Sequence, residues 1–314
     1  MRPILVILGP TACGKSALGM ELARRLGGEI VNADALQVYR GLDVGTAKPP
    51  PEDRREVPHH LIDVLDPRQA FSAGEFALRA REAIAAVQGR GGVPIVVGGS
   101  GLYLRALLEG ISPIPRGDAD LRVRLAGRLA SEGLEALRGE LSELDPETAA
   151  RLAPGDRQRI LRALEVALAS GRPLSAWIRD QPFGRRRLAA RRIGLTLPRS
   201  ILYDRIADRA REMVGRGWID EITSMLDQGI GPEAPAFQAI GYRQLIRHLS
   251  GQGSLDEALD DIIRATRRYA KRQMTWFRKE RDIHWVPALS AFGAIHSLVH
   301  DLRVLEERSL HEQA

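Results

Sequence analysis

The chain has 314 residues, enough for one large domain or two smaller ones, and its 44% hydrophobic and 27% charged residues are typical of a globular protein. No segment approaches the roughly 18 consecutive apolar residues of a membrane span, so we expect no membrane partner. Cys13 is the only cysteine, which excludes an intrachain disulfide, and we expect no signal peptide; both points favour a cytoplasmic protein. The net charge of +6 comes almost wholly from arginine, typical of an arginine-rich genome or of a protein that binds a polyanion.

The first structural signal is an apolar run of strand length at residues 4–8 that leads into Gly-Pro-Thr-Ala-Cys-Gly-Lys-Ser. This is the G-x-x-x-x-G-K-S pattern of a phosphate-binding loop (P-loop), and a helical segment follows it at 17–26. The loop N–H groups and Lys15 are expected to contact phosphate oxygens, and the Ser16 hydroxyl to ligate Mg²⁺. The sequence therefore predicts a di- or triphosphate site. Its residues are Gly9, Pro10, Thr11, Ala12, Cys13, Gly14, Lys15 and Ser16.

Strands and helices alternate along the first hundred residues. The predicted strands are 4–8, 29–32 and 93–97, and the predicted helices are 17–26 and 72–88. This alternation predicts an α/β fold: a mostly parallel, P-loop-type sheet flanked by helices. Ligands of such sheets bind at the carboxyl ends of the strands. The P-loop, Asp34 and segment 98–101 each follow a strand directly, so we expect them to converge on one crevice.

Asp34 and Ser100 are the polar side chains that this crevice would receive. The Asp34 carboxylate is suited to holding Mg²⁺ or acting as a general base, unless it only caps the next helix. The Ser100 hydroxyl can donate to a phosphate oxygen or a carboxylate, unless segment 98–101 is a plain turn. No acidic residue ends the strand 93–97, where an ATP-hydrolysing enzyme usually has one, and Asp63 is a weak substitute. This favours a transferase over an ATPase.

Pro113 and Pro115 interrupt the helical pattern and indicate that a different part of the fold begins here. Residues 119–180 have a helical pattern throughout, which predicts an all-helical insertion. A strand at 191–197, further helices and a weak strand at 282–286 follow. The predicted domains are a first core segment at 1–112, the insertion at 113–185 and a second core segment at 186–314.

A basic helix is predicted at 255–280. At 100° per residue its cationic side chains fall within an arc of ~140°, and acidic residues at i±4 are nearly absent from it. The cationic residues are Arg264, Arg267, Arg268, Lys271, Arg272, Arg278 and Lys279. The apolar residues assigned to the opposite side are Ile262, Ile263, Tyr269, Ala270, Met274, Trp276 and Phe277. Together with the arginines at 185–187 and 191–192, this favours a nucleic-acid backbone as partner over a merely solvated face.

The sequence offers little else for catalysis. His59, His60 and Asp63 have the residue types of a metal site, but a proline flanks them and one cysteine cannot build a zinc finger, so no structural zinc is expected.

Taken together, these segments resemble the tRNA dimethylallyltransferases, which modify an adenine beside the anticodon. The resemblance covers nearly the whole chain, and so many motifs in order are highly specific. The matching stretches are residues 9–16, 32–39, 59–63, 71–76, 97–103, 156–166, 238–244 and 266–273.

The resemblance implies transfer of a dimethylallyl group from dimethylallyl diphosphate to N6 of the adenosine 3′ of the anticodon, by a monomer that uses Mg²⁺ and binds the anticodon stem-loop. Asp34 would accept the N6 proton. The other catalytic residues implied are Lys15, Ser100 and Arg209. The implied tRNA contacts are Asp34, Ala35, Leu36, Gln37, Ser100, Arg122, Gln158, Arg159, Ile160, Leu161, Arg162, Gln238, Ala239, Ile240, Gly241, Tyr242 and Arg243. An alternative role for Arg209 also stays open: it could form only a salt bridge on the helix surface, since the nearby residues Arg205 and Arg211 are arginines as well.

The chain departs from the family pattern at Cys13, Leu36 and Ser100, where serine, methionine and threonine are usual. We expect Cys13 to face away from the phosphates, and Ser100 to keep the hydroxyl without the methyl group that restricts it. Three rival functions stay open: a kinase, a prenyltransferase acting on free AMP, and an RNA-binding protein without catalysis.

Overall fold

A computed structural model of the chain describes residues 4–112, 114, 115, 117–180, 187–291, 293, 295 and 299. The chain divides into two compact units. The described residues of Met1–Leu107 and Leu188–Ala314 form the first, here called the core unit. Those of Leu108–Arg187 form the second, here called the helical unit. The helical insertion was predicted at residues 113–185.

The described strands form one six-stranded sheet in the core unit, with the order β3-β2-β4-β1-β5-β6, and every neighbouring pair is parallel. The strands are β1 (Ile4–Leu8), β2 (Gly28–Asn32), β3 (His59–His60), β4 (Val93–Gly98), β5 (Ala190–Thr196) and β6 (Ile283–Pro287). This confirms the predicted α/β fold. The two-residue β3 was not predicted, because it is too short to show an apolar pattern.

The helices alternate with the strands and then dominate the second half of the chain. They are α1 (Lys15–Leu26), α2 (Pro51–Glu56), α3 (Ala73–Gly89), α4 (Gly101–Glu109), α5 (Ala119–Leu144), α6 (Pro146–Arg151), α7 (Arg157–Ser170), α8 (Leu174–Asp180), α9 (Arg199–Gly215), α10 (Trp218–Asp227), α11 (Tyr242–Leu249) and α12 (Leu255–Phe277), with a 3₁₀ turn at Pro235–Gln238. None of the helices in the described part of the chain has the length and apolar character needed to cross a bilayer.

Burial on both faces explains why apolar and polar residues do not alternate along the central strands. Every residue of β1 and β4 is buried, as expected for parallel strands covered by helices on both faces. A second apolar cluster around Trp218, Phe237 and Tyr242 packs under the loop that follows Asp34. Glu221 fixes this loop, since its carboxylate accepts the N–H of Asp43 at 2.6 Å and the Tyr242 hydroxyl at 2.7 Å.

The helical unit contains α5 to α8 and has its own core, formed by Leu121, Leu125, Leu137, Leu141, Ile160 and Leu164. Asp145 is 1% exposed and joins three helices. It ends α5, caps α6 by accepting the Thr148 N–H at 3.0 Å, and accepts the Ser175 N–H of α8 at 2.9 Å. The regular secondary structure described in this unit is thus all helical, as predicted.

Candidate active site

The carboxyl ends of β2, β4 and β1 lie side by side, because these strands are parallel neighbours. Asp34, segment 98–101 and the P-loop follow them. Glycines allow these segments to approach one another closely. A Cβ on Gly98 would lie 2.3 Å from the carbonyl oxygen of Ala33, and a Cβ on Gly99 would lie 3.3 Å from the carbonyl oxygen of Gly9. The three segments therefore converge on one edge of the sheet, as the sequence predicts.

The P-loop turns from β1 into α1 through three residues with positive φ: Gly9 at 148°, Ala12 at 63° and Gly14 at 95°. Gly14 precedes the first helical residue, Lys15, whose ammonium donates to the carbonyl oxygen of Pro10 at 2.6 Å. The turn leaves the N–H groups of the first turn of α1 without helical partners, which makes this end of the helix suitable for an anion.

Two further side chains of the loop have opposite environments. Cys13 is completely buried and belongs to the apolar core cluster of the core unit. Ser16 is exposed in the first turn of α1. A hydroxyl oxygen is a type of ligand that Mg²⁺ accepts, so Ser16 is a candidate magnesium ligand.

Asp34 is half-buried just beyond the end of β2. Its Oδ1 accepts the N–H of Leu36 at 2.8 Å, and its own N–H donates to Asn32 at 3.2 Å. The next described helix begins only at Pro51, so the alternative of Asp34 as a helix cap is wrong. Burial, followed by the charge of Asp34, raises the pKa of Tyr269 to about 12, so the two side chains lie within electrostatic range.

Arg209 of α9 also lies within electrostatic range of Asp34. Burial lowers the pKa of the Arg209 guanidinium, and the charges of Asp34 and Glu212 oppose this shift. Arg205 is exposed, and Arg211 forms the surface ion pair, with Asp208 at 3.4 Å. Among the residues that the structure describes, Arg209 forms no ion pair, so the salt-bridge alternative applies to its neighbour instead.

Segment 98–101 is held by a residue to which the sequence analysis assigned no role. Gln273 of α12 is 6% exposed, donates from Nε2 to the carbonyl oxygen of Gly99 at 2.9 Å and accepts the N–H of Thr11 at 2.9 Å. Ser100 is half-buried next to Gly99, and its carbonyl oxygen accepts the Leu104 N–H of α4 at 3.0 Å. A glutamine among the apolar positions of α12 was the available signal for Gln273.

A groove of about 640 Å³, here called the basic groove, lies between α4 and α12. Trp276 lines the groove, and its indole packs so closely on Gly101 that a Cβ on Gly101 would lie 2.4 Å from Cδ1 of Trp276. Arg105 lies over the same indole at 5.0 Å. The residues that line the groove are Arg105, Arg268, Lys271, Arg272, Thr275, Trp276 and Lys279.

The structure corrects two points of the prediction for the basic helix. Trp276 was assigned to the core-facing side, but it lines the groove, because it follows Arg272 by only ~40° around the helix. Acidic partners were expected to be nearly absent from the cationic arc, but Arg264 forms an ion pair with Asp261, three residues before it. Within the described residues Arg268 and Lys271 form no ion pair, so the cations available to a ligand lie toward the end of α12.

The second predicted basic cluster is only partly described. Arg185 and Arg186 lie outside the described residues, whereas Arg187 is exposed. Arg192 of β5 donates to the carbonyl oxygen of Arg281 at 3.3 Å.

Two segments of the core unit, residues 34–37 and 238–243, were predicted to contact tRNA, and each contains both accessible and buried side chains. Gln37 is 9% exposed and donates to the carbonyl oxygen of Thr46 at 3.1 Å, so its side chain shapes the loop, while Ala35 and Leu36 are half-buried. In the other segment the side chains of Gln238 and Arg243 are exposed. Ile240 is half-buried, and the residues with buried side chains or backbone are Ala239, Gly241 and Tyr242.

The predicted contacts of the helical unit surround a buried carboxylate. Glu165 is 3% exposed and pairs with Arg122 at 2.6 Å and Arg162 at 2.7 Å. Both guanidinium groups are thereby held in place. Gln158 and Arg159 are exposed, Leu161 is half-buried, and Ile160 is completely buried in the core of this unit.

His59, His60 and Asp63 form other interactions. His60 contacts Glu29 at 2.7 Å, and Asp63 pairs with Lys48 at 2.6 Å and Arg54 at 2.7 Å. The described part of the chain holds no group of three or more His, Cys, Asp or Glu side chains that could bind a metal.

The parallel sheet, the glycine-bounded loop before α1 and the polar residues at the strand ends define a protein with a P-loop-like fold. Residues 37–280 match the family model described as IPP transferase, so the chain belongs to the IPP transferase family. It is 49% identical to the tRNA dimethylallyltransferase of Syntrophobacter fumaroxidans over 98% of this chain and 90% of that protein. It is 44% identical to the protein of the same name from Thermomicrobium roseum over 100% of this chain and 93% of that one.

Solved structures agree in fold. The tRNA isopentenylpyrophosphate transferase of Bacillus halodurans aligns with a TM-score of 0.71 and 38% identity over the full length of both chains. A eukaryotic dimethylallyltransferase acting on tRNA aligns with a TM-score of 0.75 and 28% identity over 92% of this chain and 74% of that one.

Proposed function

We propose that this protein transfers a dimethylallyl group from dimethylallyl diphosphate to N6 of the adenosine on the 3′ side of the anticodon in tRNA, releasing diphosphate. The names of the relatives support the reaction class. The convergence of the P-loop, Asp34 and segment 98–101 on one edge of the sheet is the observation that carries the proposal. A monomeric state and a cytoplasmic location stay predictions.

The diphosphate is the leaving group, and the P-loop is suited to hold it. Backbone N–H groups at the start of α1 and the ammonium of Lys15 would contact its oxygens. Arg209 adds a second positive charge from α9, half-buried in the same neighbourhood as Asp34. Fixed positive charges at this place stabilise the negative charge that develops as the allylic C–O bond breaks.

Magnesium fits the residues present. Mg²⁺ prefers oxygen ligands and usually takes one or two from the protein and others from substrate phosphates. Ser16 is exposed in the first turn of α1 and supplies such an oxygen. When bound, the ion would neutralise charge on the diphosphate.

The acceptor nitrogen requires a base. The lone pair of N6 attacks C1 of the dimethylallyl group, the C1–O bond breaks, and its electron pair leaves with the diphosphate. N6 must also lose a proton, which Asp34 would accept. The hydrogen bond from Leu36 at 2.8 Å orients the carboxylate without neutralising it.

The tRNA contacts would come from both units. In the core unit, the basic groove offers four exposed cations around an indole, the combination that binds phosphates and stacks on bases. These cations are Arg268, Lys271, Arg272 and Lys279. In the helical unit, Arg122 and Arg162 are held by Glu165, and Gln158 and Arg159 are exposed beside them. The adenine would have to leave its stack for N6 to be reached.

The buried members of the predicted contact set would support their neighbours. Ile160 and Tyr242 are 0% exposed, so their side chains hold the exposed residues of their segments in place. Gln37 would act in the same way, by fixing the loop after Asp34.

One assay separates this function from its rivals. The protein is incubated with labelled dimethylallyl diphosphate and Mg²⁺, together with tRNA, AMP or ATP alone. Label that enters tRNA only is the expected result. Label in AMP would favour a free-nucleotide prenyltransferase, ATP consumption without label transfer would favour a kinase, and tRNA binding without transfer would favour a non-catalytic protein.

A further inference from the structure

Gln273 is the polar exception on the buried side of α12. The other buried residues of this helix are Ala258, Ile262, Ile263, Ala270 and Phe277. Burying an amide costs free energy unless both of its ends form hydrogen bonds. Here both ends do, and both partners are backbone groups distant in sequence: the N–H of Thr11 and the carbonyl oxygen of Gly99, each at 2.9 Å.

These two backbone groups belong to the segments that would perform the transfer. Thr11 lies in the P-loop, and Gly99 immediately precedes Ser100. A Cβ on Gly99 would lie 2.3 Å from Nε2 of Gln273, so the contact requires glycine at this position. The bond also commits the Thr11 N–H to protein, so this N–H is not among the donors that face a phosphate.

We propose that Gln273 is a positioning residue that fixes the P-loop and segment 98–101 in one mutual arrangement. Its kinetic consequence rests on the proposed transferase function. Arg272 and Lys271, the residues just before it, line the basic groove, so the helix expected to bind tRNA phosphates also holds the diphosphate loop. Small displacements of reacting groups are costly, which is why a residue without substrate contact can control turnover.

The test begins with Gln273→Met, which keeps the length of the side chain and removes both hydrogen bonds. We expect kcat to fall about 10- to 100-fold and KM for dimethylallyl diphosphate to rise, with KM for tRNA within about twofold of wild type. The control is Phe277→Leu, which loosens the packing of the same helix and leaves both hydrogen bonds of Gln273 in place. It should lower the melting temperature and leave kcat unchanged.

A second readout does not depend on activity. Amide hydrogen exchange at Thr11, followed by NMR, should become at least about tenfold faster in Gln273→Met and stay unchanged in Phe277→Leu. Gln273→Glu keeps the acceptor for Thr11 and loses the donor to Gly99, so it should protect the Thr11 amide and still reduce kcat. This variant also serves if Gln273→Met fails to fold.

The proposal is overturned if Gln273→Met leaves kcat or the exchange of Thr11 unchanged, or if Phe277→Leu produces the same changes. A wild-type protein that transfers no dimethylallyl group would instead refute the proposed function. The exchange measurement would still decide whether Gln273 positions the P-loop.

Discussion

Asp34 Oδ1 accepts the backbone N–H of Leu36 at 2.8 Å, so the carboxylate is oriented by the chain that follows it. Its Oδ2 has no hydrogen-bond partner among the residues that the structure describes. One oxygen is therefore fixed while the other stays available. This is the arrangement expected of a general base that must meet a proton on a bound purine.

Replacing Asp34 by asparagine tests this role, because the amide keeps the shape and can still accept from Leu36. We expect kcat to fall roughly 10²- to 10⁴-fold, with tRNA affinity within about twofold of wild type. Single-turnover transfer and a tRNA-binding titration measure the two quantities. Asp227→Asn, an exposed position on α10, is the control and should behave as wild type. Undiminished turnover in Asp34→Asn would refute the base assignment.

Arg209 and Arg205 form a matched pair one turn apart on α9. Arg209 is half-buried within electrostatic range of Asp34, whereas Arg205 is exposed. Arg209→Ala should lower kcat/KM for dimethylallyl diphosphate about 10²- to 10³-fold, since a half-buried positive charge proposed to contact the leaving group is lost. Arg205→Ala should leave this ratio unchanged. Equal losses in the two variants would mean that α9 had been destabilised and that Arg209 has no specific role.

The basic groove predicts a salt-dependent effect on tRNA binding. Replacing Arg268 and Lys271 by alanine removes two phosphate contacts, so the slope of log K against log salt should flatten by about 1.4 to 1.8. Binding isotherms at several salt concentrations measure this slope. The affinity for dimethylallyl diphosphate should not change. Arg211→Ala with Arg216→Ala removes the same charge from ion-paired surface positions and should leave the slope unaltered.

Ser16 predicts how the reaction depends on metal. Chelation with EDTA should abolish transfer, and added Mg²⁺ should restore it. Ser16→Ala should raise the Mg²⁺ concentration for half-maximal activity at least about tenfold, whereas Ser16→Thr, which keeps the hydroxyl, should not. Full activity in EDTA would contradict the metal role, and an unaltered Mg²⁺ requirement in Ser16→Ala would contradict this ligand.

The sheet and the P-loop could be predicted because their signals are local. β1 and β4 are continuous apolar runs, and the loop glycines stand at fixed spacing. Gln273 could not be assigned a role, because its partner Thr11 lies 262 positions away and such a contact leaves no periodic pattern. Trp276 was misplaced because it lies at the edge of the cationic arc, where a helical projection cannot tell which neighbour covers it.

The most direct test of the transfer is the fate of the acceptor nucleoside. Transfer RNA labelled by the protein is digested to nucleosides, and a second tRNA carries guanosine in place of the adenosine 3′ of the anticodon. We predict that the label appears as N6-(dimethylallyl)adenosine, with one diphosphate released for each group transferred. The substituted tRNA should remain unlabelled. Label on any other nucleoside, or undiminished label in the substituted tRNA, would contradict the account.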